Sequence, residues 1–288
     1  MWNGNEATSM KNQLFLAQRR TNRAVLKVDG PEARHFLHNL LTADIEGLRP
    51  GEARYAALLT PQGKILFDFF VFDAGGYFLM DHARSQRAEL VKRLTLYKLR
   101  AKIGIAAADD HEVGVTPAEP AQAMRFADPR DGRMGWRVIA PAGTFGNETE
   151  GYEVARIRAG LADSDADIGS GVLFPHEANL DQLRAVSFEK GCYVGQEVVS
   201  RMEHRGIARS RILPVRLSGP APAKGAEIRS GGKVVGSLLS SAGSDALALI
   251  RLDRLAEATA PLLTEAISVT VLKPSWVRYD VPGARGVD

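Results

Sequence analysis

One cysteine, Cys192, is all that 288 residues contain. An intramolecular disulfide is thereby excluded, as is any CxxC metal or redox pair, and a reducing compartment is implied, with the cytoplasm as the expected location. A surplus of one charge sign is nearly missing too. Lys and Arg together number 37 against 34 Asp and Glu, a balance too even for a nucleic-acid-binding polyelectrolyte. Nucleic acid is therefore not indicated, and any anion site must be local. No stretch is long and apolar enough for a membrane span, and Met1 to Arg20 has no apolar core of signal-peptide length. Fixed-period repeats and low-complexity tracts are absent, which removes solenoid and linker architectures. The six histidines are scattered. His35 and His38 lie at helical spacing without an acidic or thiol ligand pattern, so no metal site is expected.

With 45% hydrophobic and 25% charged residues, the chain can bury an ordinary globular core divided into two or three modules. Arg23 to Val28 reads as a strand. Asp29-Gly30-Pro31 then opens a helix whose Phe36, Leu37, Leu40 and Leu41 form one apolar face. Arg54 to Leu59, Ile65 to Phe72 and Tyr77 to Asp81 read as an antiparallel meander, with turns at Thr60-Pro61-Gln62-Gly63-Lys64 and Gly75-Gly76. Leu90, Val91, Leu94 and Tyr97 predict a second helix, and Lys102 to Ala107 and Glu112 to Thr116 further strands. Pro117 to Glu150 reads as irregular connecting structure around a strand-like Gly135 to Ala140. From Ile212 onward, short apolar runs separated by Gly, Ser and Pro predict a small terminal β-barrel or sandwich. The fold class is α+β, with a boundary between residues 1–210 and 211–288.

Two places carry candidate chemistry. Asp68 is the only charge between Ile65 and Phe72, and alternation puts it on a face with Leu66, Phe70 and Phe72. A carboxylate there either opens on a cavity or is held by donors; the alternative is a strand whose second face meets solvent. The second place is Ser187 to Glu197, where Gly191 and Gly195 flank Cys192. The glycines suit a tight loop with close backbone approach, and Gln196 to Met202 reads as a helix with its amino end near the thiol. That helix end and Lys190 would both favour the thiolate of an exposed Cys192, whereas a buried one would be an inert packing residue.

The segment Lys190-Gly191-Cys192-Tyr193-Val194-Gly195-Gln196-Glu197, followed by Arg201 and Arg205-Gly206, resembles the signature of the YgfZ family of folate-binding proteins, relatives of the glycine-cleavage T-protein. Phe36 to Ile45, Tyr55 to Lys64 and Pro175-His176-Glu177-Ala178-Asn179-Leu180 resemble it as well, so the likeness spans most of residues 20 to 210. It implies a T-protein-like fold, with modules around a central folate site and a last module that is a small barrel. It also implies tetrahydrofolate as the cofactor. Asp68 falls where the T-protein carries its functional aspartate, and Glu177 is the candidate carboxylate for the donor edge of the pterin. Asn179 and Tyr193 join them in the expected folate site. Arg205 is placed there to meet the carboxylate tail, although Arg201, Arg205, Arg209 and Arg211 otherwise read as a solvated basic face. Lys190, Cys192 and Asp68 are the candidate reactive groups.

The function so implied is a tetrahydrofolate-binding accessory protein for assembly or repair of iron–sulfur enzymes, with client or assembly proteins as partners. A lone cysteine does not hold a cluster in the four-thiolate manner, so the role is assisting, by a transient bond or one ligand shared between molecules. An aminomethyltransferase passing a one-carbon unit to tetrahydrofolate is the alternative. The cysteine-centred segment argues against it, because T-proteins lack that pattern. A folate-sensing module without chemistry is a third possibility.

Overall fold

The computed structural model describes residues 17–287 apart from 123, 148 and 207; the reading of the first sixteen residues lies outside them. In chain order, the first module holds β1 (Gln18–Arg19), β2 (Arg23–Asp29), α1 (Ala33–Leu40), β3 (Ala53–Leu59), β4 (Ile65–Asp73), β5 (Tyr77–Ala83), α2 (Arg87–Lys98) and β6 (Gly104–Ala107). The meander is present, and its sheet runs β3-β4-β5-β2-β6. The amphipathic α1 buries Ala33, Leu37 and Leu40 on one face of this sheet, beside Leu90 and Leu94 of α2. The opposite face meets a second core, to which a four-stranded sheet contributes Val113, Val115, Phe126 and Ile139. That sheet pairs β1, β7 (His111–Thr116), β9 (Trp136–Pro141) and β8 (Arg125–Ala127).

Covered on both faces, β4 is buried at every position except half-buried Leu66. Its near-continuous apolar run is the mark of a strand with no solvent side, which removes the solvent-facing alternative for Asp68. One detail of the predicted face is also corrected. Leu58 pairs with Phe67 but Leu59 pairs with Ile65, so the register slips at Leu66. Leu66 accordingly packs with the helices, while Asp68, Phe70 and Phe72 keep the central side.

Residues 117–150 are more regular than expected, holding β8 as well as β9, and α3 (Glu150–Ala159) follows unforeseen. After the helix α4 (Gln196–Arg205) comes the terminal module: β10 (Ser210–Leu217), β11 (Glu227–Ser230), β12 (Lys233–Ala242), β13 (Asp245–Arg251), the short α5 (Leu252–Ala256), β14 (Leu262–Thr264), β15 (Ile267–Pro274) and β16 (Arg285–Val287). The ring β10-β13-β12-β11-β14-β15 closes through the β10–β15 pairing into a six-stranded barrel, with β16 added in parallel on β15. Closure leaves no edge within the ring, so its core of Leu213, Val215, Ile228 and Ile250 is sealed. A seam ties the barrel to residues 176–181. The Ile212 N–H donates to the Glu177 carbonyl at 2.8 Å, and Asn179 Nδ2 donates to the Ile212 carbonyl at 2.6 Å.

Candidate functional site

The structure spreads the predicted residues over several separate settings. Asp68 lies at the centre, 4% exposed, where its Oδ2 accepts from the Tyr55 and Ser164 hydroxyls at 2.9 Å each. Burial raises its pKa above the usual carboxylate value, although Arg23 and the two hydroxyls oppose the shift. Ser164 opens a single π-helical turn, Ser164–Ile168, capped by Asp163. Burial alone would raise Asp163, but Arg156 and Arg23 hold it down at about 2. Around these carboxylates stand Arg23, Arg130, Arg137 and Arg156.

Each guanidinium has a counter-charge. Arg23 Nε reaches Asp81 Oδ1 at 2.6 Å and Arg137 Nε reaches Asp81 Oδ2 at 2.8 Å. Arg130 pairs with Asp128 at 2.8 Å, and Arg156 with Asp167 at 2.7 Å. Arg137 also stacks on Phe70 with its guanidinium carbon 4.1 Å from the ring centroid, and Arg130 does so at 4.8 Å. The space left among them is about 10 Å³, room for roughly one water. A ligand the size of a pterin takes a pocket of about 300 Å³ or more. Asp68 has the chemistry of a pterin partner, yet the cavity does not fit the ring.

Sequence reasoning missed this ionic core. Asp81 sits among Tyr77, Phe78, Leu79 and Met80, opposite Phe70 in the β4–β5 register, so the argument that singled out Asp68 applies to it equally.

Cys192 is exposed, as the reactive reading requires. Gly195 holds φ +82, and a Cβ there would come within 2.6 Å of the Thr60 carbonyl. Gly63 holds φ +80, and its Cβ would meet that of Val198 at 2.8 Å. The two motif loops thus pack backbone against backbone, and only glycine permits it. Gly191 has open space around it, so the close approach expected there belongs to Gly195 alone. Helix α4 begins directly after, at Gln196. Lys190 does not stand free beside the thiol. Its Nζ donates to the carbonyls of His38, of Leu41 at 2.5 Å and of Ala43 at 3.1 Å, at the C-terminal end of α1. Burial lowers its pKa to about 8 against the pull of Asp44 and Glu46. Tyr193 is buried, with its ring 5.2 Å from Lys190 Nζ and its hydroxyl without a hydrogen-bond partner among the described residues.

The other expected ligand residues lie elsewhere. Glu177 does not line the central cavity; its carboxylate accepts from the Phe174 N–H at 2.9 Å. Asn179, in the left-handed region at φ +59, spends its amide on the barrel: Nδ2 on Ile212, and Oδ1 accepting from the Tyr279 hydroxyl at 2.8 Å. Arg205 ends α4 in solvent. Arg211, read as part of the same solvated face, is instead buried, with Nη1 2.6 Å from both Asp181 Oδ1 and the His176 carbonyl.

Two histidine settings bear on metal binding. His35 and His38 do have acidic neighbours, Glu46 at 3.1 Å and Asp44 at 3.2 Å, brought there by the chain after α1. His176, Asp181 and Glu203 offer ligand atoms within 4.8 Å of one another. In the latter group the guanidinium on Asp181 already supplies the positive charge, and His176 Nε2 lies 2.9 Å from Glu203 Oε2, fastening α4 to the seam.

A profile of the CAF17 C-terminal β-barrel domain matches residues 209–279, the ring described above. The mitochondrial iron-sulfur cluster assembly factor IBA57 of Mus musculus is 30% identical over 298 residues, covering 88% of this chain and 83% of that protein. The chain belongs to the IBA57 family. The human IBA57 is 32% identical over 79% of the chain and 75% of its own length, and a homolog from Pyricularia oryzae is 31% identical over 83% and 72%. These relatives carry the IBA57 name rather than the YgfZ one, and their names place them in mitochondria rather than the cytoplasm. The crystal structure of glycine cleavage system aminomethyltransferase T from Bartonella henselae superposes with a TM-score of 0.73 at 17% identity, over 91% of this IBA57-family chain and 86% of that one. The T-protein-like fold with its terminal barrel is therefore as expected. No helix of the described residues is long and apolar enough to cross a membrane.

Proposed function

We propose that this chain is an accessory factor in assembly or repair of iron–sulfur clusters on other proteins, acting through Cys192. The observation that carries the reading is an exposed thiol on a loop fixed at both flanks, by helix-end carbonyls at Lys190 and by the backbone of residues 60–63 at Gly195. A single thiolate can supply one ligand to a cluster whose other ligands belong to a partner. An already ordered loop does so with less entropy lost on association. The names of the mouse and human relatives support the same role. Complementation of a strain lacking the protein tests it: Cys192→Ser should fold normally and fail to restore iron–sulfur enzyme activities. Full restoration by that variant would remove Cys192 from the function.

A second reading, favoured by the buried Asp68, whose pKa burial raises, in a T-protein-like centre, is that the chain binds a reduced folate, as the YgfZ resemblance implies. Binding requires the guanidiniums of Arg130 and Arg137 to leave the face of Phe70. Calorimetry with tetrahydrofolate decides it. Heat that is lost in Asp68→Asn and weakened by about 1–3 kcal/mol in Glu177→Ala would establish both carboxylates as ligands; no heat from the intact protein would leave the centre a structural ionic core. An assay with lipoyl-bound aminomethyl substrate separates either result from transferase activity.

A further inference from the structure

We infer that the groove between α1 and the C-terminal end of α2 docks an acidic, apolar-anchored segment of a partner protein beside the Cys192 loop. The inference rests on the reading of the chain as an assembly factor, and adds where and by what chemistry the partner is held. The groove measures about 490 Å³, with Phe36, Leu40, Tyr97 and Val194 on its apolar walls. Val194 is two residues from Cys192 and packs on the helix-side core, so one wall of the groove is the thiol loop itself.

The outer lip is built against the needs of the fold. Leu99 ends α2 at φ +47 and is 86% exposed. That positive φ, with ψ at −108, is a backbone conformation that favours glycine over any residue with a Cβ. Leu99 recovers nothing by burial. One turn earlier Leu96 is 63% exposed. These two side chains serve a surface.

Charge decides what kind of surface. The side chains of Lys98 and Arg100, which line the groove, make no ion pair or hydrogen bond among the described residues. Glu32, the acid at the groove, accepts from the Lys102 N–H at 2.5 Å and keeps its charge. Two cations, Lys98 and Arg100, against this one carboxylate leave the groove's lining positive. A leucine or phenylalanine fits the floor, and flanking carboxylates fit Lys98 and Arg100. A second copy of this chain fits poorly, because a two-fold contact would set the basic lip against its own image.

The test uses the full-length protein and three fluorescein-labelled octapeptides: acidic with a central Leu-Phe pair, the same pair among lysines, and acidic without apolar residues. Fluorescence anisotropy should show binding of the first alone, at least tenfold weaker for Lys98→Glu/Arg100→Glu, severalfold weaker for Leu99→Ser and unchanged for Cys192→Ser. Equal binding of the lysine peptide, or of the charge-reversed protein, overturns the proposal. So does a dimer in sedimentation velocity that Leu99→Glu dissolves, or binding to anionic phospholipid vesicles in place of the acidic peptide. Complementation separates the two readings. Full rescue by the charge-reversed variant, with none by Cys192→Ser, sinks the docking site alone. Full rescue by Cys192→Ser sinks the thiol's role and leaves the peptide result standing.

Discussion

At the centre of the molecule buried Asp81 faces two buried guanidiniums, whereas Lys190 meets neutral carbonyls at a helix end and its neighbour Cys192 meets solvent. In the first region each formal charge is cancelled by another, so removing one member strands the rest. In the second a cation is held by dipoles, and its loss leaves polar but uncharged groups. The T-protein-like centre is consequently the rigid part of this protein. In the loop that the sequence motif marks, exposed Cys192 itself can change with little effect on the fold.

The strongest test of that contrast is Asp81→Ala. It leaves Arg23 and Arg137 buried without their shared carboxylate and should cost about 3–5 kcal/mol in urea unfolding. A loss below about 1 kcal/mol would erase the distinction between the regions.

The next effect is on pH dependence. His82, on the same strand, is lowered by burial to about 4, with Nδ1 within 2.8 Å of the Ala83 carbonyl. A depressed folded value means that its stabilisation is complete above the unfolded value near 6.5 and is lost as pH falls through about 4. Stability should therefore drop by up to about 3 kcal/mol across that window, and His82→Gln should flatten the slope.

Lys190→Met is the matching change at the loop, freeing three carbonyls at a cost of about 1–3 kcal/mol. Its pH signature has the opposite window. Because Lys190 is lowered to about 8 in the folded state, the unfolded chain holds the extra proton between there and its own value near 10.4. Wild-type stability relative to Lys190→Met should rise with pH across that range. The smallest effect belongs to Cys192→Ser, within about 0.5 kcal/mol of wild type. Native protein should be alkylated at Cys192 without denaturant. A thiol that reacts only after unfolding would make the loop part of the core.

Helical spacing of apolar residues made α1 and α2 legible, and short apolar runs between turn residues did the same for the meander and the barrel. Asp68 was legible as a lone acid in an apolar strand. Asp81 carried the same signal and was passed over, whereas a mid-strand Arg137 looks like ordinary solvent-facing alternation until its partner 56 residues away is known. Lys190 was misplaced for a different reason: its acceptors are backbone carbonyls of residues 38–43, which carry no residue-type signal. Glu177 and Asn179 were read toward a ligand, and the structure turns the Glu177 carbonyl and the Asn179 amide to the barrel.

The seam to the barrel also sets a timetable for synthesis. A nascent chain that has left the ribosome only as far as residue 210 has Asn179 without the Ile212 carbonyl it donates to, and without the Tyr279 hydroxyl that arrives a hundred residues after it. The His176 carbonyl likewise waits for Arg211. The first sheet and its helices can collapse as they emerge, but residues 176–181, which fasten α4 through His176 and Glu203, lock only once Tyr279 has emerged. A ribosome that stops before Tyr279 releases a protein with its cysteine present and that lock still open.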